Sequence, residues 1–224
     1  VWEDASNKFS GGEQRRYVMG AELDSVMNYP LRAALLDFLR GSLPSERARA
    51  ALCSLQENYP PQFFYACLNL LSSHDVPRAL SLLGGGPDKD AGLTREQQAA
   101  FSLTPEMRCK GLSLMRLAVL LQMTLPGVPC VYYGDEAGLE GLMDPFNRTT
   151  YPWGREEKAL VSWHRTLISL RNANAALQTG HMALYAPHRD VLGVLRYVRG
   201  GTDALGDSAQ DGVFLALVNR SAAP

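Results

Sequence analysis

Apolar and polar positions along the chain alternate between two rhythms. LDSVMNY (23–29) is a short apolar run and predicts a strand. PLRAALLDFLRGS then places Leu31, Ala34, Leu35, Phe38 and Leu39 at helical spacing. Pro30 stands at the helix start, where a missing N–H costs little, and Gly41 is a plausible stop. SERARAALCSLQENY predicts a second helix with Ser45 as its cap. FFYACLNLLSS (63–73) is a buried stretch whose end reads as a strand. TREQQAAF is a short helix opened by Thr94, and TPEMRCKGLSLMRLAVLLQMTL is a long one, capped by Thr104 with Pro105 in its first position. VPCVYYGDE (128–136) is β-branched and aromatic and predicts a strand; EEKALVSWHRTLISLRNAN predicts a further amphipathic helix.

After about residue 180 the texture changes. HMALYAPHRDVLGVLRYVRG and GVFLALVNRS read as short strands, separated by the polar loop GGTDALGDSAQDG. Strand–helix alternation predicts parallel β structure covered by helices, so the fold class is α/β. An open doubly wound sheet and a barrel compete. Polar residues at strand ends, SSHD after one strand and YYGDE closing another, favour the barrel. A full barrel needs eight strands and about 250 residues. The pattern supplies three strands and a stub at Val1-Trp2, about half of a TIM-type barrel. Residues 1–178 are assigned to that half barrel, and 179–224 to the start of an antiparallel β-sandwich domain.

The chain of 224 residues is 46% hydrophobic and 20% charged, enough to bury a sizeable core. A net charge of -1 gives no reason to expect nucleic acid or an anionic membrane as partner. The longest apolar stretch, LMRLAVLLQMTLPGVPCVYY, is broken by Arg116, Gln122, Pro126 and Pro129, and reads as helix, turn and strand rather than a membrane span. Cys53, Cys67, Cys109 and Cys130 form no C-x-x-C pair and read as reduced core thiols. No H-E-x-x-H spacing occurs, and GGGPDKD (84–90) lacks the G-K-[ST] ending of a phosphate loop. Asn147-Arg148-Thr149 and Asn219-Arg220-Ser221 fit the N-glycosylation pattern, one that short sequences meet by chance.

LLSSHDVPR (70–78) delivers N-x-x-x-S-H-D-x-P-R from a strand. This resembles the strand-7 signature of the alpha-amylase family of glycoside hydrolases. LDSVMNYPLRAALLDFL resembles the strand-6 region of its neopullulanase, cyclomaltodextrinase and maltogenic amylase subgroup. PGVPCVYYGDEAGLEGLMDPFNRTTYPW resembles strand 8 and the loop after it. Three long segments in family order make the resemblance specific, and it covers nearly the whole chain.

The resemblance implies a retaining glycoside hydrolase cleaving α-1,4 bonds of starch, cyclodextrin or pullulan. Such chemistry needs a nucleophilic carboxylate and an acid about 5–5.5 Å apart. It implies that Asp75 is a further carboxylate holding the distorted sugar and that His74 donates to the same ring. It implies that Asp144 and Arg148 line the non-reducing side of the cleft and that Trp2 is an aromatic platform on the leaving-group side. The family's strand-5 motif, Gly-Glu-(Val/Ile)-Trp-x-Asp, aligns Val1-Trp2-Glu3-Asp4 just past the acid, with Glu3 on the variable position. A different register would make Glu3 the acid. Nothing matches the strand-4 motif that carries the nucleophile, so the chain alone is expected to lack turnover. Asp135 and Glu136 are expected to serve structural hydrogen bonding at the barrel rim, and His164 a structural role on its helix. No redox cofactor is implied, and no cluster of oxygen ligands fixes a calcium site. The expected partner is an α-glucan, with a homodimer or domain swap completing the half barrel. The expected location is cytoplasmic, with secretion as the alternative.

Overall fold

The computed structural model describes residues 16–20, 23–88 and 91–221. Its helices and strands run α1 (Tyr29–Arg40), α2 (Ser45–Asn58), α3 (Pro61–Ala66), β1 (Leu68–Leu70), α4 (Ala79–Leu83), α5 (Arg95–Ala99), α6 (Pro105–Thr124), β2 (Val128–Cys130), α7 (Lys158–Asn172), α8 (Ala175–Gln178), β3 (His181–His188), β4 (Val191–Val198) and β5 (Gly212–Asn219).

β1 and β2 pair in parallel, Leu68 opposite Val128 and Leu70 opposite Cys130. On the other side of β1, Met27 bridges Leu68 in parallel. The three segments therefore lie side by side in chain order, with α1–α3 and α4–α6 as crossovers, as in a β/α barrel, and the ladder is open among the described residues. Side-chain amides tie it together. Asn28 donates to Asn69 Oδ1 (3.2 Å), Asn69 donates to the Pro126 carbonyl (2.6 Å), and Gln122 donates to the Asn69 and Cys130 carbonyls (2.8 and 3.1 Å). All three amides are buried, so these bonds satisfy groups that would otherwise be costly to desolvate.

Several elements are shorter than the sequence pattern predicts. The run 23–29 contributes one bridge rather than a strand, because Asn28 turns the chain into α1 by accepting from the Leu31 N–H (3.1 Å). Two prolines at 60 and 61 start a turn of helix, α3, so the strand within 63–73 shrinks to Leu68–Leu70. β2 stops at Cys130, where Tyr132–Asp135 forms a tight turn with Gly134 at φ +86°. Ser45 is not a cap: Pro44 holds that position, and the buried Ser45 hydroxyl donates to the His188 carbonyl (2.6 Å). The short helices α4 and α8 have no counterpart in the pattern. Gly41 (φ +91°), Thr94 with its capping box to Gln97, and Thr104 cap their helices as expected.

β3–β4–β5 is an antiparallel sheet in chain order. Met182, Leu192, Val194 and Val218 join the core that also contains Leu35, Phe38, Leu52, Met115 and Leu121. Helices and sheet thus share one continuous apolar interior. Each such fully buried side chain contributes about 1.5–3 kcal/mol.

Candidate active site

β1 and β2 are parallel, so their C-terminal ends open on one side of the molecule. The loop after β1 carries His74 and Asp75. Ser73 shapes it: its hydroxyl accepts from the Asp75 N–H (3.1 Å) and meets the Tyr29 hydroxyl at 3.0 Å. His74 Nε2 lies 3.2 Å from Asp75 Oδ1, and both side chains are about half exposed, at 53% and 43%. The loop after β2 carries Asp144 and Arg148, paired at 2.7 Å and likewise about half exposed. The four side chains therefore form two solvent-facing pairs on adjacent strand-end loops.

Asn147 clasps the loops together. Its side-chain amide is fully buried and donates to the carbonyls of Ser73 (3.3 Å), His74 (3.0 Å) and Val76 (2.9 Å). Its Oδ1 has no partner, consistent with the nitrogen facing the carbonyls. Arg148 Nη2 adds a weaker contact to the His74 carbonyl at 3.4 Å. The Asn-Arg-Thr match at 147–149 is therefore a structural amide, closed to modification in the folded chain.

Behind the clasp stands Arg78, with no exposed surface. It donates through Nε to the Asn147 carbonyl (2.9 Å), and through Nη1 to the Tyr133 carbonyl (2.5 Å) and Asp135 Oδ1 (3.1 Å). Its guanidinium also lies over the Tyr132 and Tyr133 rings, 4.2 and 4.8 Å from their centroids. Burial raises the Asp135 carboxyl from 3.8 to about 6, against the opposing pull of Arg78 and hydrogen bonds from Ser72 and Arg78. A guanidinium, a carboxylate and an amide thus fix the backbone on which the exposed pairs ride.

Sequence reasoning named the exposed residues and gave Arg78, quoted within its motif, and Asn147, read as a chance glycosylation match, no role in the site. The signal was present: an arginine three residues after the aspartate, and an asparagine between Asp144 and Arg148. Asp135 and Glu136 stand in the turn that follows β2, with Glu136 accepting from the Gly134 N–H (2.9 Å). His164 is buried, its Nδ1 2.9 Å from the Leu160 carbonyl, and burial lowers its pKa from 6.5. Trp2, Glu3 and Asp4 lie outside the described residues. Among the described residues no group of three or more His, Cys, Asp or Glu comes together to hold a metal ion, and no helix is long and apolar enough to cross a membrane.

The sequence profile of the alpha amylase catalytic domain matches residues 7–176. The chain belongs to that family. An amylopullulanase of Thermoanaerobacter thermohydrosulfuricus is 34% identical over 230 residues, covering 98% of this chain and 14% of that protein. A cyclomaltodextrinase of a Bacillus species is 36% identical over 171 residues, covering 75% of this chain and 26% of its own length. Among solved structures, a cyclomaltodextrinase superposes with a TM-score of 0.70 at 30% identity, over 98% of this chain and 31% of the other. A debranching enzyme from Nostoc punctiforme gives 0.69 at 26%, over 89% and 38%. The chain therefore spans a minor part of the length of the relatives it matches. The barrel-like order of its strands is the alpha-amylase family's fold.

Each exposed group has a chemistry suited to sugars. A carboxylate accepts from two neighbouring hydroxyls, while a guanidinium and an imidazole N–H donate to others.

Proposed function

We propose that this chain is the C-terminal part of the catalytic barrel of a retaining α-glucan hydrolase, acting on α-1,4 bonds of starch, cyclodextrin or pullulan type substrates. The observation that carries this reading is the pairing of His74–Asp75 and Asp144–Arg148 on adjacent strand-end loops, joined through Asn147. Asp75 is the carboxylate that binds the distorted sugar at the cleavage point. As that ring gains positive charge, a fixed anion beside it lowers the barrier. His74 donates to the same ring. Asp144 and Arg148 hold the next sugar on the non-reducing side, and Trp2 stacks on the leaving-group side. Residues 1–178 supply the barrel portion, and 179–224 open the β-sandwich domain.

In this reading the nucleophile and the acid come from outside the chain. Groups that act as a unit lose most of their rate when any is missing, so the chain alone binds glucan without cleaving it. Hydrolysis of cyclodextrin, pullulan and soluble starch, run beside an Asp75→Asn variant, tests this. Turnover by the unaltered chain that vanishes in the variant would give the missing roles to Glu3 or Glu136 and refute the incomplete set.

A second reading, a half barrel that dimerises without catalysis, is favoured by the strand edge at β2. Val128 and Val131 are 47% and 36% exposed and border a concavity of about 440 Å3. A monomeric mass by sedimentation at micromolar concentration would exclude it.

A further inference from the structure

The loop after Arg148 presents an unusual surface. Trp153 is 81% exposed, although its ring is among the largest apolar groups a protein can bury. It is held there by local geometry. The Arg155 N–H bonds back to the Pro152 carbonyl (2.8 Å), closing a tight turn with Trp153 and Gly154 at its corners. Gly154 has φ +76°, the conformation that the third position of a type II turn requires. The Gly154 N–H is also fixed by the Glu156 carboxylate (3.0 Å). Tyr151 packs against the indole with ring centroids 4.5 Å apart and planes tilted by 51°. A hydrogen-bonded turn and an aromatic buttress thus display one flat apolar face to water.

The base of that turn borders a polar groove of about 430 Å3, lined among others by Ser102, Arg108, Glu140, Thr149, Thr150 and Arg155. An exposed ring beside hydroxyl, carboxylate and guanidinium groups offers a ligand one apolar contact and several hydrogen bonds. The loop is continuous with the site already described. Thr149 accepts from the Tyr133 hydroxyl (3.0 Å), and five extended residues from Arg148 reach at most about 18 Å. A sugar ring has an apolar C–H face and a rim of hydroxyls, so it matches a flat indole beside hydroxyl, carboxylate and guanidinium groups.

We propose that Trp153, buttressed by Tyr151, is a stacking platform for a glucosyl ring of an α-glucan chain beyond the Asp144–Arg148 pair, with the adjoining groove binding the ring's hydroxyls. This rests on the reading of the chain as an α-glucan protein. It adds a contact for longer chains, so affinity should rise with oligosaccharide length past the rings held by the two exposed pairs.

The test is calorimetric titration of the full chain with maltotriose and maltoheptaose, with tryptophan fluorescence followed in parallel. The expected result is tighter binding of maltoheptaose than maltotriose and a saturable fluorescence change. Trp153→Ala should weaken maltoheptaose about tenfold, the scale of one stacking contact, erase the length dependence, and leave maltotriose unchanged. Trp153→Phe should recover most of the affinity. Maltoheptaose bound equally by the unaltered chain and by Trp153→Ala would overturn the platform while leaving the α-glucan reading intact. No binding of either sugar by the unaltered chain would overturn both. A fluorescence maximum that shifts with protein concentration rather than with sugar would assign the indole to contact with a second copy, and would also overturn the platform.

Discussion

Two ends of the molecule bury arginines, and they do so differently. At the C-terminal ends of the strands, Arg78 is matched by a buried carboxylate, Asp135, and by the rings of Tyr132 and Tyr133. At the opposite end, Arg171 and Arg196 are bonded to backbone carbonyls. Arg171 donates to the Met123, Leu125 and Gly127 carbonyls. Arg196 donates to those of Thr124, Leu177, Gln178, Gly180 and His181. Most of the Arg171 acceptors, and Thr124, lie at the C-terminal end of α6, where the helix dipole is negative and unpaired carbonyls need donors. Burial lowers both guanidinium pKa values from 12.5 to about 10, still far above neutrality. The lower pair therefore joins α6 to α7, α8 and the antiparallel sheet with charges that do not titrate near pH 7. The upper arginine depends on a carboxyl that does.

That contrast can be broken by substitution. The largest effect is expected for Arg196→Ala, which strips five carbonyls of their donor and opens a cavity. A loss of at least about 4 kcal/mol is expected in urea unfolding, and it should be the same at pH 5 and pH 8. Arg196→Lys should restore less than half, since an ammonium has three donors and no planar fork. Next comes Arg78→Met, which leaves Asp135 buried beside no cation and should cost about 3 kcal/mol at pH 8. Its cost should shrink at pH 5, where Asp135 holds a proton. Equal losses at both pH values would remove the distinction between the two ends. The same variant should also weaken maltotriose binding, because Asn147 loses its support.

Asp135→Asn sharpens the comparison further. The folded carboxyl holds its proton more tightly than the unfolded one, at about 6 against 3.8. Its contribution is fully present below pH 3.8 and is lost as pH rises through about 6. The unaltered chain should thus lose about 3 kcal/mol relative to Asp135→Asn across that window. The smallest effect is expected for His164→Gln. A depressed histidine contributes stability above pH 6.5 and loses it as pH falls, so this variant should be less sensitive to mild acid in thermal unfolding.

The features legible in the sequence are those whose cause is local. Thr94 and Thr104 cap helices that begin within three residues of them, and Gly41 ends α1 because it alone tolerates the left-handed turn there. The exposed pairs were named for another reason: S-H-D and D-P-F-N-R resemble stretches of the alpha-amylase family. The supports beneath them were not. Arg78 meets Asp135 across 57 residues and the Asn147 carbonyl across 69, so the local motifs contain Arg78 and Asn147 without showing which groups they bind. Ser45 was misread for the same reason, since its hydroxyl answers a carbonyl 143 residues away rather than its own helix. Strand lengths were overestimated because a hydrophobic run records burial. Where Asn28 or Gly134 turns the backbone, burial continues and the ladder stops.

The buried amide of Asn147 has a practical consequence for the choice of host cell. An oligosaccharyltransferase acts on a chain still emerging into the lumen, before β1 and β2 have met, and it reads Asn147-Arg148-Thr149 as an acceptor. A glycan placed there would occupy the nitrogen that three carbonyls require, so the modified chains could not close the clasp and would be retained and degraded. Thr149→Ala removes the acceptor signal while keeping the asparagine and the backbone carbonyl that Tyr133 uses. Its secreted yield from yeast or insect cells should exceed that of the unaltered chain, whereas bacterial yields of the two should match.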